Sequence, residues 1–128
     1  MTVAFWCLFV ACWLPIVTAW TCGWFRHQQF GHVDNRHPRA QYSQLQGPGA
    51  RAFAAQQNAW EALAIFAPAV IVAHLAGVDQ AKADLAGCIF IAARVLYPIF
   101  YICNKDVLRS LSFLLGFLSC VSLFVMAA

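Results

Sequence analysis

The chain alternates between long apolar runs and shorter polar ones. A membrane span takes ~20 mostly apolar residues, and four windows reach that length. They cover about residues 3–25 (VAFWCLFVACWLPIVTAW through Trp24), 52–76, 83–103 (ADLAGCIFIAARVLYPIFYIC) and 107–127 (VLRSLSFLLGFLSCVSLFVMA). Between the first two lies a polar loop, 26–50, with three His and three Arg. The other connections, GVDQAK at 77–82 and NKD at 104–106, are short turns, which implies antiparallel neighbours. The pattern predicts an all-α fold: one four-span membrane domain over residues 1–128, built as a four-helix bundle without internal repeats. Pro15, Pro68 and Pro98 fall inside spans. Neighbouring helices can compensate the lost backbone bond there, so kinks are expected and not breaks.

Composition places the apolar surplus in lipid. Of 128 residues, 62% are hydrophobic and 10% charged, against roughly 25% charged in soluble domains. Five Trp and 15% aromatic residues suit a protein with two membrane interfaces. A net charge of +3 with no basic run excludes nucleic acid as a partner class. The six cysteines form no CxxC pair and read as small apolar packing residues. His27, His32 and His37 recur every five residues with Asp34 between them, a spacing that fits no zinc pattern, so no metal is expected. Residues 1–24 hold no Lys or Arg, and the apolar run is too long for a signal-peptide core. That segment therefore reads as a span.

Charge also sets a direction. The first and third loops with their flanks carry Arg26, Arg36, Arg39, Arg51, Lys105 and Arg109, while the opposite side carries only Lys82. By the positive-inside rule these loops are cytoplasmic and both termini lie outside, in a cytoplasmic (inner) membrane.

Two charges remain in mid-span, Glu61 in the second and Arg94 in the third. Each lies about nine residues from the cytoplasmic boundary, hence roughly 14 Å deep at 1.5 Å per residue. Antiparallel helices can set them side by side as a buried ion pair. More polar residues rise from that level toward the cytoplasm. Arg51, Gln57, Asn58 and Glu61 share an arc of roughly 120°, and Arg94, Tyr97 and Tyr101 share a face at i, i+3, i+7. Arg109 lies one turn inside the fourth span and Arg26 ends the first. A single ion pair does not require that surplus. Ionisable residues inside a membrane usually line a ligand site or pathway, and the excess of cations suggests a small anionic ligand. No nucleophile elbow, phosphate loop or general-base dyad is present, so any catalysis uses a bound nucleophile.

These residues also resemble a known family. R-x-x-A-x-x-x-N-x-x-E (Arg51 to Glu61), R-V-x-Y-x-x-x-Y (Arg94 to Tyr101) and LRS (Leu108 to Ser110), in order across four spans, are similar to the MAPEG family, membrane-associated proteins of eicosanoid and glutathione metabolism. The loop text NRHPRAQYSQLQGPGARA looks like its prokaryotic branch. The resemblance implies a homotrimer with glutathione as co-substrate in crevices between subunits, and a lipophilic small molecule entering from the bilayer. It implies glutathione contacts at Asn58, Glu61, Arg94, Tyr97, Tyr101, Arg26 and Ser110, beside the Arg51 and Gln57 of the polar face, and thiolate stabilisation by Arg109. Ala54 stands where well-studied members carry a glutathione-binding Arg. Phe113 falls near a family Tyr that reaches the thiol, and Ala62 replaces a Tyr of some members.

The function expected on these grounds is that of a membrane glutathione-dependent transferase or peroxidase. The alternative is a non-catalytic subunit or scaffold in which Glu61 and Arg94 only hold helices together. A transporter or proton relay through Glu61 fits poorly, because the outer halves of all four spans are almost wholly apolar.

Overall fold

Helices follow the apolar runs and overrun two of them at one end. A computed structural model describes residues 1–128 as α1 (Val3–Phe30), α2 (Pro38–Ser43), α3 (Gly47–Leu75), α4 (Gln80–Ile102) and α5 (Asp106–Ala127). All but α2 are long and apolar enough to cross a membrane, and the chain is an all-helical integral membrane bundle. The prolines sit inside continuous helices, as Pro15 in α1, Pro68 in α3 and Pro98 in α4.

The middle of the bundle is the antiparallel pair α3 and α4. α1 packs against both from one side and α5 against both from the other. Three contacts fix the register of the pair. Arg51 Nε donates to the Ile102 carbonyl at 3.1 Å, Arg94 Nη2 donates to Asn58 Oδ1 at 2.7 Å, and Phe66 stacks on Phe90 with ring centroids 3.7 Å apart. As α3 advances from Arg51 to Asn58 to Phe66, α4 retreats from Ile102 to Arg94 to Phe90. The polar pairs therefore lie in one half of the bundle and the aromatic stack lies deeper.

Small residues face inward and large ones outward. The largest buried cluster holds Ala4, Ala11, Ala69, Ala73, Ala83 and Ala86 among its members, with Phe66, Phe90 and Leu123 filling the centre. Trp6, Trp13, Trp20 and Trp24 are each about half exposed along α1, and Leu111, Leu115 and Leu118 along α5. Small residues allow helix backbones to approach closely where lipid supplies no hydrophobic drive for association. Gly87 shows how closely: a Cβ there would meet Cys7 Cβ at 3.3 Å and Ala4 Cα at 3.4 Å. At that end α1 is also pinned electrostatically, since the free Ala4 N–H donates to Asp84 Oδ1 at 2.8 Å and Gln80 Nε2 donates to the same oxygen.

That pin explains the overrun. α1 has 28 residues and α3 has 29, against 23 for α4 and 22 for α5. At 1.5 Å per residue the longer pair run to roughly 42 Å, well past a ~30 Å hydrocarbon layer. With α1 held level with α4 at Asp84, its surplus turns project at the opposite end, where the 31–46 connection and α2 close over them.

Candidate functional site

The polar residues of the loop-bearing half fall into two separate groups. The deeper one is centred on Arg94, brought to the bundle interior by α4 and 4% exposed. Its Nη2 donates to both the side-chain oxygen (2.7 Å) and the carbonyl (3.2 Å) of Asn58. Asn58 in turn donates from Nδ2 to Glu61 Oε2 at 2.9 Å. Glu61 is exposed. The two mid-span charges are thus linked through Asn58, and the direct ion pair read from their equal depth is replaced by a relay. Asn58 is one turn before Glu61 on the same face and reaches the guanidinium first. Arg94 lies over the Tyr97 ring at 4.4 Å, a cation–π contact that a desolvated site strengthens. Every side-chain nitrogen or oxygen fully shut off from solvent has a partner, so the Nε and Nη1 of Arg94, which bond nothing in the chain, are not shut off.

Beside Arg94 lies a cavity of about 120 Å³ between α3, α4 and α5. Asn58, Glu61 and Arg94 form its polar wall, and Phe90, Phe113 and Phe117 much of the apolar one. Gly116 belongs to the wall for a steric reason, because a Cβ there would stand 3.2 Å from Arg94 Cδ. The glycine on α5 lets the arginine stem lie flat. The run LLGFL carried this signal, a lone glycine inside an apolar helix.

One tier toward the loop end, Tyr97 and Tyr101 meet edge to face at 5.7 Å, and Arg109 lies over Tyr101 at 4.4 Å. Arg109 is in the first turn of α5 and half-buried. The tier thus presents a guanidinium next to the N–H groups that open a helix, a positive environment for an anion. Phe113 packs against Tyr97 at 6.4 Å between centroids and brings no hydroxyl to this tier. Ser110 and Gln57 are exposed.

The second group is a clasp at the loop, which the sequence reading took as a polar connection with Arg26 at its start. Arg26 is 4% exposed. Its Nε donates to Gln41 Oε1 and its Nη2 to the Asp34 carbonyl, both at 2.6 Å, and it lies over the Tyr42 ring at 4.5 Å. Gln41 is saturated as well: Oε1 also accepts from the Asp34 N–H, and Nε2 donates to the His32 carbonyl. Asp34 Oδ1 accepts the N–H groups of His37 and Arg36, which organises the entry to α2, and Pro38 follows at the first helical position. Those donors, His37 first, hold the Asp34 carboxyl below its ordinary value. The three histidines form no metal-binding group with other ligand side chains.

Of the residues singled out from sequence, Asn58, Glu61 and Arg94 come together at the cavity and Tyr97, Tyr101 and Arg109 stack above them. Arg26 is turned into the clasp. Arg51 holds the C-terminal carbonyl of α4.

With this geometry established, comparison with known proteins is informative. The sequence profile of the MAPEG family matches residues 3–128, nearly the whole chain. No curated protein matches it.

Proposed function

The chain belongs to the MAPEG family, and on that premise we propose that it is a membrane-bound glutathione-dependent transferase or peroxidase acting on lipophilic electrophiles or hydroperoxides. The observation that carries this reading is the pairing of a half-satisfied buried arginine with an adjacent void. Arg94 uses one guanidinium nitrogen on Asn58 and lines the cavity. The polar set suits a zwitterionic peptide thiol: carboxylates toward Arg94 and the tyrosine hydroxyls, the ammonium toward Glu61 and Asn58. We place the thiol at the Arg109 tier, with Gln57 and Ser110 at the rim. Arg26 and Arg51 stand outside the contact set, because neither lines the cavity beside Arg94.

A cavity of 120 Å³ is small beside the ~300–1,000 Å³ of typical ligand pockets. A peptide thiol therefore needs a further wall, and a neighbouring subunit of a homotrimer supplies it in this proposal. The chemistry asks one thing of the protein. A free thiol with pKa near 8.5 is only a few per cent ionised at neutral pH. A guanidinium and a helix N-terminus beside the sulfur favour the thiolate. In the transferase reaction the sulfur bonds to the electrophilic carbon and the leaving group departs with the thiol proton. In the peroxidase reaction two thiols are oxidised to a disulfide while a hydroperoxide is reduced to an alcohol and water.

Arg109→Ala tests the assignment. Loss of one preorganised charge-stabilising donor costs about 10²–10³ in kcat, with the melting midpoint and glutathione binding largely kept. Conjugation of an aryl halide by the purified protein reads the rate, and thermal stabilisation by glutathione reads binding. Full activity in Arg109→Ala sinks the role of Arg109, and absence of any stabilisation by glutathione sinks the reading as a whole. A second reading, a non-catalytic subunit, is favoured by one observation: two of the expected rim cations, Arg26 and Arg51, do not line the cavity. It predicts that glutathione neither stabilises nor reacts.

A further inference from the structure

The largest cavity lies on the other side of the α3–α4 pair. It measures about 350 Å³ and opens between α1 and α4, with Ala52 of α3 at its base. Leu14, Val17, Val95, Pro98, Ile99 and Ile102 line it, together with Thr18 and Thr21. The two threonines add no free donor. Thr18 Oγ1 donates to the Leu14 carbonyl at 2.8 Å and Thr21 Oγ1 to the Val17 carbonyl at 3.1 Å, so both hydroxyl protons are spent on their own helix. Water in the groove would lack the two to four polar partners it needs. Hydrocarbon is the filling that such a wall accepts.

The groove has a polar head. Its last lining residue, Ile102, offers its carbonyl to Arg51 Nε at 3.1 Å, and neither Nη group of Arg51 has a hydrogen-bond partner within the chain. Arg51 is half-buried, next in sequence to the Ala52 base. A cation thus stands at the loop end of an apolar slot that runs into the membrane. That is the complement of an anionic amphiphile. Basic pockets between spans on this face of a membrane are the sites that hold anionic lipid headgroups.

We infer that the α1–α4 groove holds an anionic phospholipid, with an acyl chain against Val17, Val95 and Ile99 and the phosphate on the Nη groups of Arg51. The site is separate from the glutathione reading, since the polar wall of Asn58, Glu61 and Arg94 belongs to the cavity on the α5 side. The lipid stabilises the bundle where α1 and α4 part.

The test uses the full chain in non-ionic detergent without glutathione, so its outcome and that of the glutathione experiment are independent. Phosphatidylglycerol and phosphatidylcholine with identical acyl chains are added, and bound lipid is read by native mass spectrometry and by the melting midpoint. Phosphatidylglycerol is retained and raises the midpoint, and phosphatidylcholine is retained about fivefold less, the preference that one arginine near an anionic headgroup confers. Val95→Trp, a substitution at a half-exposed groove wall, abolishes retention with the lipid-free midpoint unchanged. Arg51→Gln keeps some lipid but loses the preference. A photoactivatable acyl chain on phosphatidylglycerol labels residues 14–21 and 95–102, a readout that needs no variant. Equal retention of the two lipids, labelling elsewhere, or dissociation of an oligomer by Val95→Trp each overturns the proposal, the last by showing the groove to be a contact between copies.

Discussion

Arg26 and Arg94 are built alike and stand in different surroundings. Each is 4% exposed, each donates to a side-chain amide oxygen and a backbone carbonyl, and each lies about 4.5 Å over a tyrosine ring. The difference is in what is left over. Arg26 spends two nitrogens, Nε and Nη2, on partners in different segments, and no cavity touches it. Arg94 spends Nη2 alone on one residue, and its stem and head line a void. Burial and pairing therefore do not distinguish a structural arginine from one that meets a ligand. On the function proposed above, unspent donors next to empty volume do.

The largest effect expected from breaking this comparison comes at Asn58. Asn58→Leu takes from the buried guanidinium its side-chain acceptor, leaving only the backbone carbonyl of residue 58 at 3.2 Å, and leaves Glu61 without its amide donor. Removing the partner of a buried charge costs about 3 kcal/mol, and glutathione stabilisation disappears. Adding Arg94→Met removes that charge, and replacing both partners by apolar groups can be nearly neutral. The double variant regains most of the stability in denaturant unfolding and none of the glutathione response. Recovery of both would make the relay purely structural.

At Arg26 the same operation gives the opposite split. Arg26→Met removes two hydrogen bonds and a ring contact from the clasp, a loss of about 2 kcal/mol by the usual worth of charged hydrogen bonds. Glutathione-induced stabilisation persists, measured as the shift of the melting midpoint relative to the variant's own baseline. A variant that melts normally but no longer responds to glutathione would move Arg26 into the site.

The same contrast explains what could be read from the sequence. Four spans were legible because length and apolarity are properties of a run, and the common depth of Glu61 and Arg94 was legible because depth is only a count along a helix. Their mediation by Asn58 was not, since it depends on which of two residues one turn apart reaches a long side chain first. The clasp was less legible still. Arg26, Asp34, Gln41 and Tyr42 have no periodicity, and their meeting is a property of the folded loop. One local signal was available, Asp34 followed by Pro38, a turn-forming acceptor ahead of a helix-starting proline.

The clasp also has a pH signature. Asp34 accepts two backbone N–H groups when ionised, so its folded pKa lies below that of an ordinary aspartate. A depressed carboxyl contributes stability above its unfolded pKa and loses it as pH falls through the folded one. The connection at 31–46 should therefore open to protease below about pH 4, with the spans still protected. Asp34→Asn keeps an acceptor oxygen that does not titrate, so its cleavage is pH-independent. Equal acid sensitivity in both proteins would remove Asp34 as the cause.

The smallest effect is the most selective. At Gly116 an alanine methyl would press on Arg94 Cδ at 3.2 Å, whereas at Gly23 of α1 it would meet nothing within 4 Å. Both substitutions gain roughly 0.5–1 kcal/mol of helix preference over glycine. Gly23→Ala should therefore raise stability with no change in glutathione affinity. In Gly116→Ala the gain is offset by displacement of the arginine stem by a few tenths of an ångström, so the midpoint barely moves. The guanidinium shifts with its stem, and glutathione affinity falls a few-fold. Calorimetric titration of the two variants side by side measures this. Identical affinities would mean that the position of Arg94 within its cavity does not matter to the ligand, and the distinction between the two buried arginines would rest on the void alone.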